Sequence, residues 1–458
     1  MSSPAPSRTA RSRAGLAAVA IAVSATSLAC LPFAPGLLGL GGLLLALGAA
    51  AAVGAGLLAL WPQALAAIVP ALIPSPMILL TFAWELALYL VAVLLLLHGW
   101  RTRAAWLYRL GNVETAVFVF TLWALFSGFW SEDLRWFAIG ARRLLMGLVA
   151  LWVATRLPHV AARRWFDVGI LVGASALALA AVFRSLTIGL SSEMAVLHRP
   201  EVTNLGWGTA NYVAGLLLIL APSVLQIALR GAPGGRVMAW GAFALVSAVQ
   251  LIVASRAALI LFVVGALVQL LRFVRGSRTW MVLAYVATVA AMMVSPLGVV
   301  FMSRLVSLRD LGSMTIRIWY FREAWNRLLE HLPWGLGLWQ GYGHADRLQG
   351  IDPHNYWLLL GGDLGLPGLL LWAVVLVVIV RRTRELRVDE PGREQAYTLT
   401  LTLVLANLHT LVEPTFQGAH YQMLFYWVVC GGLAYSTLRV ATTSSAKPNR
   451  SQNTPPGT

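Results

Sequence analysis

Long apolar runs, many of them separated by arginines, recur along the chain and dominate what it can fold into. Of its 458 residues 59% are hydrophobic and 11% are charged, whereas a soluble domain has about 25% charged residues. A soluble globular enzyme, a disordered chain and a collagen-like fibre are therefore excluded, and the pattern indicates an all-α polytopic membrane protein. Candidate segments able to span about 30 Å of hydrocarbon lie near residues 14–31, 36–60, 77–99, 113–130, 136–155, 167–184, 207–229, 237–254, 256–274, 279–301, 362–380, 396–414 and 421–440.

The net charge of +16 comes almost wholly from arginine, since Lys447 is the only lysine. Clusters of arginine follow alternate apolar runs, as expected of cytoplasmic loops, so the charge requires no nucleic-acid partner. The tail 1–13 is basic as well, and both termini are predicted to be cytoplasmic. With the tail 1–13 in the cytoplasm and residues 61–76 outside, the number of crossings in 14–60 must be odd. Only one of the two candidate segments there then counts as a crossing, so twelve crossings are predicted in all. Residues 14–31 have features of a signal peptide, but the apolar sequence continues and favours a retained segment.

On this topology the external side holds residues 61–76, 131–135, 185–206, the Ser255-Arg256 turn and one long loop, 303–361. The C-terminal tail 442–458 has the composition of a disordered segment. The long loop carries six arginines and three histidines, namely Arg304, Arg309, Arg317, Arg322, Arg327, Arg347, His331, His344 and His354. Arginine is disfavoured outside, so these side chains call for an anionic partner.

An amphipathic helix is predicted inside this loop. Its apolar stripe has spacings of 3, 4, 3 and 4 residues and comprises Ile318, Phe321, Trp325, Leu328 and Leu332. Glu323 and Arg327 can pair one turn apart. Two interpretations stay open: a structural helix on the bilayer surface with solvated charges, or a helix that turns Arg317 or Arg322 toward a lipid-borne anion.

The segment Asp352-Pro353-His354-Asn355 has the pattern of a helix start. Asp352 can cap, Pro353 suits the first position, and His354 then lies in the first turn. The helix dipole there favours a bound anion and disfavours imidazolium. His354 is thus a candidate general base, with a purely structural histidine as the alternative.

Glycines flank this segment on both sides. Pro333-Trp334-Gly335-Leu336-Gly337 is interpreted as a flexible connector or, alternatively, as a phosphate cradle. Gly361-Gly362-Asp363 ends the preceding element, and a membrane helix is expected to begin with Gly365-Leu366-Pro367-Gly368.

Two further arginines lie on the predicted external side, Arg199 and Arg256, and either could instead be an interfacial snorkelling residue. Glu85, Arg142 and Arg143 lie within candidate spans, where ionisable groups are functional candidates, but the sequence names no partner for them. No Asp-x-Asp pattern and no Ser-His-Asp or Cys-His arrangement is evident, so neither a metal nor another cofactor is expected.

The strings Arg317-Ile318-x₆-Trp325, Pro333-x₃-Gly337 and His354-Asn355-x₉-Gly365-x-x-Gly368 resemble the O-antigen ligase superfamily, with Ser255-Arg256 as a weaker mark. The resemblance covers roughly residues 255–380. It implies a metal-independent inverting glycosyltransferase domain over 14–441, working at the periplasmic face of the bacterial inner membrane. The donor would be O-antigen on undecaprenyl diphosphate, and the acceptor a sugar hydroxyl of lipid A–core.

The same resemblance assigns roles to individual residues. His354 takes the place of the essential loop histidine, and Arg199, Arg256 and Arg317 take the places of essential external arginines, with Arg322 as a further diphosphate-binding candidate. O-antigen polymerases and bacterial O-oligosaccharyltransferases share this machinery and differ in acceptor, so both stay alternatives. A glycolipid transporter or flippase is the alternative from another class.

Overall fold

The structure, a computed structural model, describes residues 83–107, 109–188, 210–253, 255–273, 279–295, 309–340, 354–386, 390–413 and 415–445. The predictions for the tail 1–13, for the crossings within 14–60, for the loop 61–76 and for Arg199 lie outside these residues. The last helix runs to Ser445, so it extends past the predicted domain end at 441.

The described residues form helices and no strands. We number the helices α1 Ala83–Arg101, α2 Asn112–Phe126, α3 Leu134–Arg156, α4 Arg163–Ile188, α5 Ala210–Arg230, α6 Pro233–Val253, α7 Arg256–Phe273, α8 Thr279–Val294, α9 Arg309–Glu330, α10 Tyr356–Glu385, α11 Glu390–Thr410, α12 Ala419–Phe425 and α13 Gly432–Ser445. A π-helical segment, Tyr426–Gly431, joins α12 to α13, and short 3₁₀ turns follow α1, α2, α3 and α11.

Among the described residues, seven helices are long and apolar enough to cross a bilayer. They are Asn112–Phe129, Leu134–His159, Arg163–Val182, Asn211–Arg230, Pro233–Val253, Arg256–Phe273 and Tyr356–Glu385. The chain is thus a helical membrane protein, and the total of twelve crossings stays a prediction. Asp133 caps the N-terminus of α3, because its carboxylate accepts from the backbone N–H of Arg135 at 2.8 Å.

Helix α5 lies at the centre of the bundle. Buried glutamine side chains on α6 and α7 donate to two of its backbone carbonyls. Gln250 Nε2 on α6 donates to Ala214 O at 3.0 Å, and Gln269 Nε2 on α7 donates to Pro222 O at 2.8 Å. Unpaired polar groups are costly in an apolar interior. These two bonds therefore fix how α6 and α7 lie against the central helix.

Arginines at the helix ends gather at one end of the bundle, which we call the basic end and define by Arg156, Arg163 and Arg230. Arg156 pairs with the buried Glu114 and also donates to the Arg109 carbonyl. Arg163 donates to Gln395 Oε1 at 2.7 Å, and Arg230 lies 2.6 Å from Glu394. Turns that the sequence places in the cytoplasm, far apart along the chain, thus meet at one end.

This arrangement makes the topology testable with reporter fusions. Fusions at residues 105, 160, 233 and 388 are expected to report the cytoplasm, because their loops are rich in arginine. Fusions at 68, 195 and 345 are expected to report the opposite side. A cytoplasmic signal at 345 would contradict the account, since the long loop would then face the wrong compartment for an external site.

Candidate functional site

Opposite the basic end, segments that are remote in sequence converge on what we call the site end. We define it by residues 127–133, 331–340, 354–356, 411–413 and 415–417 together with Asn211. The Leu338 N–H donates to Ser127 Oγ at 2.9 Å, and Gln340 exchanges two hydrogen bonds with the Asp133 backbone. Asn355 Nδ2 donates to the Leu411 carbonyl at 3.0 Å. The predicted external loop is therefore anchored on two other parts of the bundle, the segment 127–133 and Leu411.

A break in α10 holds the glycine-rich segment in place. Gly365 has φ 67° and ψ −167°, which opens the helix. The freed groups bond to the residues after α9: Leu336 N–H to Gly362 O, Gly337 N–H to Asp363 O, and Leu366 N–H to Pro333 O, at 2.8–2.9 Å. A Cβ at Gly365 would lie 2.0 Å from Pro333 O, so only glycine fits.

One expectation for this region is thereby corrected. Residues 333–337 are not a flexible connector, because their backbone is hydrogen-bonded to the helix break. The expected helix start at Gly365-Leu366-Pro367-Gly368 agrees with the break, because the non-helical Gly365 separates a first helical stretch, which begins at Tyr356, from the long stretch that follows. Helix α10 therefore consists of two helical stretches joined at a kink.

The break also carries a buried carboxylate, Asp363. Its Oδ2 accepts from the Trp339 N–H at 3.0 Å, and Trp123 Nε1 donates to the adjacent Leu364 carbonyl at 3.0 Å. A small cavity beside them is lined by Trp339, Tyr356, Asp363, Gln417 and Gln422, among others. Irregular backbone at membrane depth is tolerated where protein groups satisfy it in this way.

The sequence predicted that His354 lies in the first turn of a helix. In the structure His354 instead lies immediately before α10. The N-cap is Asn355, whose Oδ1 accepts from the Leu358 N–H at 2.9 Å. An asparagine side chain caps as well as an aspartate, so the helix starts later than the Asp352-Pro353 pattern predicts. His354 has φ 47°, which turns the chain into the cap.

The group that faces the His354 ring is a carboxylate. Nδ1 lies 3.4 Å from Glu413 Oε2, and the His354 side chain is 29% exposed while that of Glu413 is 8% exposed. A carboxylate that accepts the Nδ1 proton orients the ring and places the lone pair on Nε2. The exposed fraction leaves the histidine within reach of a substrate.

Asn211, at the start of α5, holds Glu413 from the other side. Its Nδ2 donates to Glu413 Oε1 at 2.5 Å, and the Glu413 N–H donates to His409 O at 3.0 Å. Glu413 thus joins α5, α10 and the end of α11. The sequence reasoning missed this residue, although an acidic side chain at the end of the apolar run 396–414 is itself a signal of function.

The candidate arginines are placed as follows. Arg256 begins α7 at the site end, since α6 ends there at Val253 and α7 ends at the basic end, where Arg230 lies over the Phe273 ring. Arg317 lies in α9, whose Tyr320 ring centroid is 6.3 Å from that of His354. Arg322 on the same helix is exposed. Arg327 pairs with Glu323 at 3.4 Å, as predicted.

The charges inside the predicted spans find partners that the sequence could not name. Arg142 pairs with Glu85 across α1 and α3. The Arg143 guanidinium lies 4.1 Å from the centroid of the Trp339 ring, and its Nη1 donates to Gln417 O at 3.4 Å. Arg143 thereby fixes the loop after α9 against the 3₁₀ turn after α11.

Among the described residues, no three or more His, Cys, Asp and Glu side chains are grouped so that they could hold a metal ion. Comparison with known proteins found no match, either to a family model or to a curated protein. The interpretation of the site therefore rests on its own residues and on their geometry.

Proposed function

We propose that the chain is an O-antigen ligase, a glycosyltransferase that moves a glycan from undecaprenyl diphosphate to a sugar hydroxyl of lipid A–core at the periplasmic face of the bacterial inner membrane. The observation that carries the proposal is the His354–Glu413 pair, which Asn211 braces at the end of the bundle opposite the arginine-rich turns. A half-buried histidine oriented by a buried carboxylate is suited to general-base catalysis.

In the proposed step the acceptor hydroxyl approaches His354 Nε2. Its oxygen attacks the anomeric carbon of the donor sugar while its proton passes to Nε2, and the bond between that carbon and the diphosphate oxygen breaks. The electrons of the broken bond leave with the diphosphate, and attack from the opposite face inverts the anomeric centre. Glu413 stabilises the charged ring during the transfer.

Arginines are proposed to meet the charge of the leaving diphosphate. Guanidinium groups bind phosphate by two parallel hydrogen bonds and stay protonated at any working pH. Arg256 begins α7 at the site end, while Arg317 lies on α9, which contacts His354 through Tyr320. Arg322, on an exposed face of α9, and Arg199 are retained from the sequence as further candidates.

Transfer is expected to be independent of divalent metal, because arginines supply the positive charge that a metal would otherwise supply. Activity in EDTA should equal activity in untreated buffer. Loss of transfer in EDTA that Mg²⁺ or Mn²⁺ restores would contradict this role of the arginines.

Glu413 is proposed to position the base, and Glu413→Gln tests that role. The amide can still accept from Asn211, but it no longer carries the charge that stabilises the protonated ring. We expect kcat to fall by about 10–100-fold with KM for the donor little changed. The matched control is Glu323→Gln, which removes only a surface pairing with Arg327. A donor KM that rises while kcat is kept would make Glu413 a binding residue.

The choice among related activities depends on the acceptor. Purified protein and lipid-linked donor should be incubated in separate reactions with lipid A–core, with donor alone, and with an acceptor protein. Glycosylated lipid A–core as the main product supports the ligase. Elongation of the donor glycan would instead identify a polymerase, and a glycosylated protein would identify an O-oligosaccharyltransferase.

A further inference from the structure

One face of α9 is apolar and exposed. Ile318, Phe321, Trp325, Leu329 and, just after the helix, Leu332 are between 37% and 70% exposed. They recur at spacings of three and four residues and so form one stripe. The predicted stripe is corrected at one position, because Leu328 is buried. Leu328 packs on Gly361 of α10, where an added Cβ would lie 2.8 Å from its Cδ1.

The other two faces of α9 differ from this stripe. Ala324 and Leu328 are buried, and Tyr320 contacts His354. The third face carries Arg322, Asn326 and Glu330 together with Trp319, and all four are exposed. The helix therefore has a packed face, a mainly polar face and an apolar face that no described residue covers.

The apolar face continues into the lipid-facing surface of a membrane span. After α9 the chain reaches the exposed Trp334, and Pro333 accepts a hydrogen bond from Leu366 of α10 at 2.9 Å. Leu366 and Leu370 are exposed on that helix, which is one of the candidate spans. Exposed leucines on a membrane span are expected to face acyl chains, so the stripe on α9 extends the surface by which this candidate span would meet lipid.

We propose that α9 lies in the outer interface of the bilayer, with its apolar stripe among the acyl chains and Arg322 at the level of the phosphates. Trp319, Trp325 and Trp334 are exposed along this segment, and tryptophan is enriched at that depth. Arg322 stands at the border of the stripe, where a long cationic side chain reaches the head groups. The partner of this surface is bilayer lipid.

The placement has a consequence that rests on the proposed function. Tyr320, on the packed face, links the helix to His354. A helix seated at the phosphate level therefore holds the histidine near the depth at which a lipid-borne diphosphate lies. The donor would then reach the site from the bilayer and not from the aqueous phase.

Spin labelling in liposomes tests the placement without any activity assay. In a Cys30→Ser, Cys430→Ala background, the substitutions Ile318→Cys and Leu329→Cys would carry a nitroxide on the apolar stripe. Asn326→Cys is the matched control on the polar face of the same helix. All three native side chains are exposed, so the substitutions should leave the packing intact. Collision rates with oxygen, which enters the acyl region, and with a water-soluble nickel complex are then compared.

The expected result is an oxygen-to-nickel ratio several-fold higher at 318 and 329 than at 326. Equal nickel accessibility at the three positions would overturn the proposal, since the stripe would then face water. Protection of 318 and 329 from both reagents would also overturn it, because another protein segment would then cover the stripe. The spin labels can report lipid even if the transfer assay fails. The two experiments therefore test this inference and the proposed function separately.

Discussion

Replacing His354 by alanine is expected to remove nearly all transfer while the lipid-linked donor still binds. The reason is that the imidazole takes the acceptor proton, whereas the arginines hold the diphosphate. General-base catalysis contributes about 10²–10⁴-fold to rates, so the loss should be of that size or larger. Initial rates and donor binding are measured on the same purified variants.

His354→Gln separates a base from a hydrogen-bonding residue. Glutamine can donate and accept hydrogen bonds but takes no proton near neutral pH, so we expect it to be as inactive as alanine. A glutamine variant that keeps substantial activity would leave His354 as a binding residue.

The arginines are expected to give the second large effect. Arg256→Ala and Arg317→Ala should each lower transfer by about 10²–10³-fold without preventing membrane insertion, since each removes a charge that stabilises the leaving group. Lysine at either position should restore only part of the rate, because it lacks the two-pronged contact with phosphate. Initial transfer rates and the amount of protein in the membrane fraction are the two measurements.

Arg327→Ala is the matched control on α9. Its partner is Glu323 in an ordinary surface pairing, which contributes little, so the variant should transfer at close to the wild-type rate. If both alanine variants at 256 and 317 behaved like this control, those arginines would be interfacial snorkelling residues.

The helices were largely predictable, because hydrophobic length and arginine placement are local properties of the chain. The predicted span 256–274 corresponds to Arg256–Phe273, and 136–155 lies within Leu134–Arg156. The predicted span 362–380 lies within α10, Tyr356–Glu385, whose break at Gly365 coincides with the helix start expected from the glycines. The hydrogen bonds between this break and the loop after α9 were not predictable, because they join residues that are remote in sequence. The predicted span 421–440 is divided by the π-helical segment Tyr426–Gly431.

The sequence proposes His354 as a candidate, because it stands out in a loop rich in arginine, but it does not predict the groups around it. The carboxylate that faces His354 lies 59 residues away, and the asparagine that donates to Glu413 lies 202 residues from it. Such contacts depend on how α5, α10 and α11 pack. The N-cap was predicted as Asp352 and is observed as Asn355. Both residue types suit an N-cap, and the positive φ of His354 shows that the helix starts only after that residue.

The central claim is that the site end makes a glycosidic bond. The direct measurement uses proteoliposomes loaded with labelled lipid-linked donor and lipid A–core, and it follows both product and movement of the donor across the bilayer. The account predicts that wild-type protein yields glycosylated lipid A–core, and that His354→Ala yields almost none while it binds the donor. Movement of the donor across the bilayer with no new glycosidic bond would contradict the account and identify a transporter.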